Sequence, residues 1–219
     1  MTTTRARCLV EFAGTFLLAF TIGMTSIEPG GAGAFTGLAV AGVLAAAIYA
    51  GGHLSGAHYN PAVTLAVAVL GRMPRREVLP YLAVQVAAAA LAVPATLLLK
   101  PADAAAAIEA MTIRPLPALL AEAIFTFALL WVIFNVAFAK RTVGNEVYGL
   151  AIAAVVLAGI HAVRDVSGAA FNPAVLLFFG LTGLARWSDL WPHLLGIAGG
   201  AAAATALFRV TVRDAGGEA

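Results

Sequence analysis

The sequence predicts an all-α membrane protein with six transmembrane helices plus two re-entrant half-helices, arranged as an inverted repeat. Three observations carry this reading. Of the 219 residues, 62% are apolar and only 11% are charged, against about a quarter charged in ordinary soluble domains. Six apolar stretches reach the length of about 20 residues that a bilayer core demands. Two further apolar pieces are too short to cross, and they are near copies of one another.

The six spans are expected near residues 8–27, 34–52, 78–99, 117–139, 146–162 and 190–211. Arg5 and Arg7 ahead of the first one resemble the start of a secretory leader. The run behind them is too long for a leader's apolar core and contains Glu11, so it reads as a span. The short pieces are 61–71 and 173–183. Each begins with a proline and ends at a glycine, Gly71 or Gly183. Proline in the first turn and glycine past the last are helix punctuation, so both pieces read as half-helices dipping into the bilayer.

Basic residues set the orientation. Nine of the thirteen Lys and Arg fall at the N-terminus (Arg5, Arg7), in the 72–77 loop (Arg72, Arg75, Arg76), in the 140–146 loop (Lys140, Arg141) and at the C-terminus (Arg209, Arg213). With six spans and two re-entrant loops, all nine lie on one side. The positive-inside rule makes that side cytoplasmic, with both termini on it. Lys100, Arg114, Arg164 and Arg186 are the other four. The cations stand as short membrane-flanking clusters and form no nucleic-acid stripe, and the net charge is only +2. Short Ala-rich runs and compact loops suggest a bacterial inner (plasma) membrane.

One cysteine, Cys8, excludes a disulfide within the chain and a CxxC metal site. His53, His58, His161 and His193 follow no metal-ligand spacing. No nucleophile–base pair is visible, so neither an enzyme nor a cofactor or metal is expected.

The internal repeat is the strongest signal. His53–Gly71 reads HLSGAHYNPAVTLAVAVLG and Asp165–Gly183 reads DVSGAAFNPAVLLFFGLTG, with nine of nineteen positions identical at an offset of 112. Pro80 pairs with Pro192 and Gly37 with Gly149 at that offset, and Glu11, Thr15 and Phe16 pair with Glu122, Thr126 and Phe127 at one less. Each half holds three spans, and an odd number inverts the second half relative to the first. The chain is expected to be a single channel domain over 1–219, with repeats of approximately 1–100 and 112–219.

Asn60-Pro61-Ala62 and Asn172-Pro173-Ala174 stand where the half-helices begin. Asn is a preferred N-cap and Pro suits the first helical position. A helix N-terminus carries roughly +0.5 charge and unpaired N–H groups. Two such ends meeting at mid-membrane oppose cations and protons. The Asn amides can donate to a passing oxygen, and the irregular backbone at 53–59 and 165–171 offers carbonyl acceptors beside a cavity.

With these residues the sequence resembles the aquaporin (major intrinsic protein) family. SGAHYNPAVTL at 55–65 is similar to that family's first-loop signature and SGAAFNPAV at 167–175 to its second. The resemblance covers essentially the whole chain. It implies a homotetramer in lipid with one pore per subunit, and a small neutral permeant such as water, glycerol, ammonia or hydrogen peroxide. It also implies that Glu11 and Glu122 accept hydrogen bonds from loop backbone and brace the half-helices, although an ionisable group inside a span otherwise reads as functional, here as a proton relay. His58 is expected to face the pore. Gly14, Gly42, Gly149, Gly199 and Gly200 are expected to admit close helix contacts, and Arg72, Arg75 and Arg76 to be solvated anchors.

One position departs from the family. The arginine that usually follows the second Asn-Pro-Ala is Val175 here, and Leu176 stands where glycerol-selective relatives place an aspartate. By spacing, Val40, Ile160 and Ala169 complete the outer filter, which is then wholly apolar. A one-residue difference in loop length exchanges Ile160 for His161, a turn of about 100° on a helix. An apolar ring admits larger solutes but offers water no hydrogen bonds and dewets when narrow. Arg164 reads either as a substitute at the outer mouth or as a loop residue beside Asp165. Two other functions fit an inverted six-span chain, a secondary transporter of a small solute and a non-conducting scaffold with a dewetted pore. The half-helix ends carry no carboxylate for ion coupling, so a passive channel leads.

Overall fold

The computed structural model describes residues 2–142 and 144–214, the last three by backbone only. Arg213 therefore lies outside the residues whose side chains are described. Among the described residues all regular structure is helical, and six helices are long and apolar enough to cross a membrane. The first half holds α1 (Thr4–Ser26), α2 (Thr36–Ser55), the half-helix α3 (Pro61–Val69) and α4 (Arg75–Leu99). The second holds α5 (Pro115–Ile133), α6 (Tyr148–Ser167), the half-helix α7 (Pro173–Thr182) and α8 (Trp191–Asp214). A five-residue π-helical turn, Phe134–Phe138, extends α5.

Inside each half, α1 packs on α4 and α5 on α8, and α2 meets α6 across the pseudo-two-fold. The half-helices are shared between halves: α4 also lies against α7, and α8 against α3. Close approach depends on small residues. On α8, Gly196 and Gly200 sit where a Cβ would collide with the backbone of α5 at Leu119 and Ala123. Gly14 makes room for the Tyr59 ring, and Gly149 packs against Tyr49 and Ile48. Gly42 and Gly199 differ from expectation, since nothing lies within 4 Å of where their Cβ would be.

The helix ends also differ from the hydropathy reading. α2 and α6 run on to Ser55 and Ser167, three and five residues past the expected 52 and 162. Polar residues such as His53 and Asp165 end an apolar window without ending a helix. What ends both is a left-handed glycine, Gly56 at φ 90° and Gly168 at φ 79°. Glycine adopts that conformation without a Cβ penalty. The irregular segments thus shrink from 53–59 and 165–171 to Gly56–Tyr59 and Gly168–Phe171.

Candidate pore and its supports

Each irregular segment enters its half-helix through an asparagine. Asn60 and Asn172 hold extended backbone (φ −156° and −153°), and their Oδ1 atoms accept from the N–H of Ala62 and Ala174 at 2.8 and 2.9 Å. Pro61 and Pro173 occupy the first turn, where a missing N–H costs nothing. The amides reach across the molecule. Asn60 Nδ2 donates to Phe171 O at 3.0 Å and Asn172 Nδ2 to Tyr59 O at 2.9 Å. Each NH2 has two protons, and among the described residues each amide donates only this one bond.

The segments between glycine and asparagine are held in unusual backbone. Ala57, Tyr59, Ala169 and Phe171 have φ of 51°, 47°, 55° and 49°. Non-glycine residues pay about 1–3 kcal/mol each for such conformations and keep them only when surroundings enforce it. Glu11 and Glu122 do the enforcing. Both are fully buried. Glu11 accepts from the N–H of His58 (2.9 Å) and Tyr59 (2.7 Å) and from Ser55 Oγ (2.7 Å). Glu122 accepts from Ala170 (3.0 Å), Phe171 (2.7 Å) and Ser167 Oγ (2.7 Å). With its N–H groups turned to a carboxylate, each segment presents its carbonyls elsewhere.

Three supports escape sequence reasoning because they arise only when α4 and α8 pack. Gln85 Nε2 donates to Glu11 at 2.9 Å, Tyr81 OH to Ser55 O at 2.8 Å, and His193 Nε2 to Ser167 O at 2.7 Å. The repeat offset of 112 pairs Tyr81 with His193, and that offset is their only signal in the sequence. Gln85 pairs with Ile197, so Glu122 has no counterpart to this fourth bond.

A cavity of about 670 Å³ is lined by residues from both ends of the helices, Arg72 at one mouth and Arg164 at the other. Both asparagines, Val40, Ile160, Ala169, Val175 and His58 line it, whereas His161 is not among its walls. The His161 ring instead lies at Leu157 O (3.0 Å) and Ala34 O (3.2 Å). The four outer-filter candidates all line this one cavity, and all are buried with apolar side chains. His58 Nδ1 lies 3.1 Å from Thr64 Oγ1, which itself donates to Asn60 O at 3.2 Å. That fits the Nδ1–H tautomer. Arg72 lines the mouth on the side of the basic loops, and Arg164 the opposite one. Arg164 donates to Gly33 O at 3.0 Å and forms no ion pair with Asp165.

The family model described as Major intrinsic protein matches residues 1–208. The chain belongs to that family. It is a passive channel for water and small uncharged solutes, set in a membrane. Aquaporin NIP1-4 of Oryza sativa subsp. japonica is 38% identical, over 93% of this chain and 77% of that protein. Aquaporin NIP1-1 of Zea mays is 36% identical, over 90% and 71%. Putative aquaporin NIP4-1 of Arabidopsis thaliana is 32% identical, over 87% and 69%. Among solved structures, the aquaglyceroporin from Plasmodium falciparum superposes with a TM-score of 0.78 over 96% of this chain and 98% of that one. At 19% identity it speaks for the fold alone.

These relatives correct one expectation. The bacterial inner membrane inferred from Ala-rich runs and compact loops does not stand: the relatives named above are plant proteins. Helix packing in any bilayer favours small residues and short loops, so those features carry no information about the organism. The integral-membrane reading of this major intrinsic protein is unaffected.

Proposed function

We propose that water and small uncharged solutes pass in single file through the 670 Å³ cavity, with selectivity set at two levels. At the centre, the free amide protons of Asn60 and Asn172 orient the permeant. The paired N-termini of α3 and α7, begun by Pro61-Ala62 and Pro173-Ala174, oppose cations and protons. At the outer level, Val40, Ile160, Ala169 and Val175 form an apolar ring that selects by size. His58 contributes a polar wall on the other side of the centre. Glu11 and Glu122 act as braces and not as a proton relay. The whole chain acts as one channel domain, has no enzymatic step, and assembles as a homotetramer with one pore per subunit.

The observation that carries this reading is the reciprocal pair of bonds from Asn60 to Phe171 O and from Asn172 to Tyr59 O. It sets both helix N-termini against one cavity with a donor to spare on each side.

The test is stopped-flow light scattering on reconstituted liposomes after an osmotic jump. Shrinkage well above empty liposomes is expected with an impermeant osmolyte, and re-swelling with a small polyol. Inserted tetramer with no excess flux of either would overturn the reading in favour of a dewetted scaffold.

A further inference from the structure

We propose that Arg164 is the solute-discriminating group of the outer mouth, supplying from the end of α6 the hydrogen-bond donors that the ring below it lacks. This rests on the channel reading above.

The ring of Val40, Ile160, Ala169 and Val175 contains no polar side chain, so a solute oxygen entering it leaves water without meeting a side-chain donor. Arg164 lines the same cavity. It stands four residues beyond Ile160 on α6, on the same face and about 6 Å further along the axis. The guanidinium is positioned. Its NH1 donates to Gly33 O at 3.0 Å, and His161 Nε2 at 3.2 Å from Ala34 O ties the same stretch of α6 to the same turn. Among the described residues no carboxylate pairs with it; the single ion pair is Arg7 with Glu77, at the other mouth. Its remaining N–H groups are therefore available, and a guanidinium has five in a fixed fork.

The spacing defines the solute. A donor fork about one helical turn above an apolar ring suits a small neutral molecule with a hydroxyl at one end and carbons behind it. The oxygen rests on Arg164 while the carbon chain enters the ring. Water is too small to span both levels and gains no such advantage. Small cations meet the Arg164 charge, which no carboxylate pairs directly, before they reach the ring.

The experiment compares wild type with R164Q and R164K in liposomes, measuring water permeability and three-carbon polyol permeability on the same preparations. R164Q is expected to lower the polyol-to-water ratio about fivefold, the size of one lost hydrogen bond. R164K, which keeps the charge but not the fork, is expected to fall between the two. A ratio unchanged in R164Q, or polyol and water falling together, would mean that Arg164 only holds the Gly33 turn, and would overturn the proposal while leaving the channel reading intact. Wild-type liposomes no faster than empty ones to either solute would overturn both.

Discussion

Glu11 on α1 and Glu122 on α5 accept the same three classes of hydrogen bond from opposite loops: one serine hydroxyl, then the N–H groups of two successive residues before the asparagine. A carboxylate fully out of water is tolerable only with such partners. Replacing either by alanine leaves buried N–H groups unpaired and releases left-handed backbone. Glu122→Ala is expected to cost at least about 3 kcal/mol, enough to remove most folded protein. Detergent-solubilised yield on size exclusion checks this. Well-folded E122A with altered proton flux would instead make the residue a proton relay.

The fourth partner of Glu11 separates bracing from capping. Gln85→Leu removes a bond to a buried carboxylate and leaves the Tyr59 N–H in place. A loss of about 1.5–3 kcal/mol is expected, read as a lower melting temperature. Ile197→Gln at the matching site of the second half offers its amide to Glu122, which lacks this fourth bond, and is expected to cost less than Ile197→Glu, which brings a second buried carboxylate there.

Asn172→Asp keeps an N-capping oxygen but puts negative charge against two helix N-termini. With a barrier lowered by about 1–2 kcal/mol, proton leak should rise roughly five- to thirtyfold. Decay of a pH gradient across liposomes measures it. Unchanged leak would mean that the barrier lies elsewhere along the path.

Ile160→Ala and His161→Ala form a discriminating pair. Ile160 lines the cavity, and His161 turns to Ala34 O. Truncating Ile160 widens the ring, so polyol flux is expected to rise relative to water. His161→Ala should not raise that ratio. The reverse pattern would move the histidine into the constriction.

Thiol-reactive mercurials are expected not to inhibit conduction. Cys8 is the sole cysteine and is not among the residues lining the cavity. The same water flux from C8S, with and without mercurial, is the control. Inhibition of wild type alone would place Cys8 on the permeation path.

Much of this architecture is legible in the sequence because the repeat states it twice. Asn-Pro at 60–61 and 172–173 marks where each half-helix starts, and the isolated glutamate in each half's first span is a buried support by the family resemblance, which its bare position in a span would not say. What stays hidden depends on helix phase and on contacts between helices. Whether Ile160 or His161 faces inward follows from α6 continuing to Ser167, and polar residues hide that continuation. Tyr81, Gln85 and His193 look like ordinary polar residues in apolar helices until α4 and α8 pack. Arg164 could be read as a partner of Asp165 only while the Gly33 turn was out of sight.

The crossed bonds between Asn60 and Phe171 and between Asn172 and Tyr59 also bear on the hours of a protein's youth. A nascent chain that has inserted only its first three spans has half a path: one asparagine without its acceptor, and a cavity whose far wall, Ile160 through Val175, has not been made. The cavity wall is complete only when those residues are in place. The path is therefore a property of the two halves joined, and neither half holds it alone.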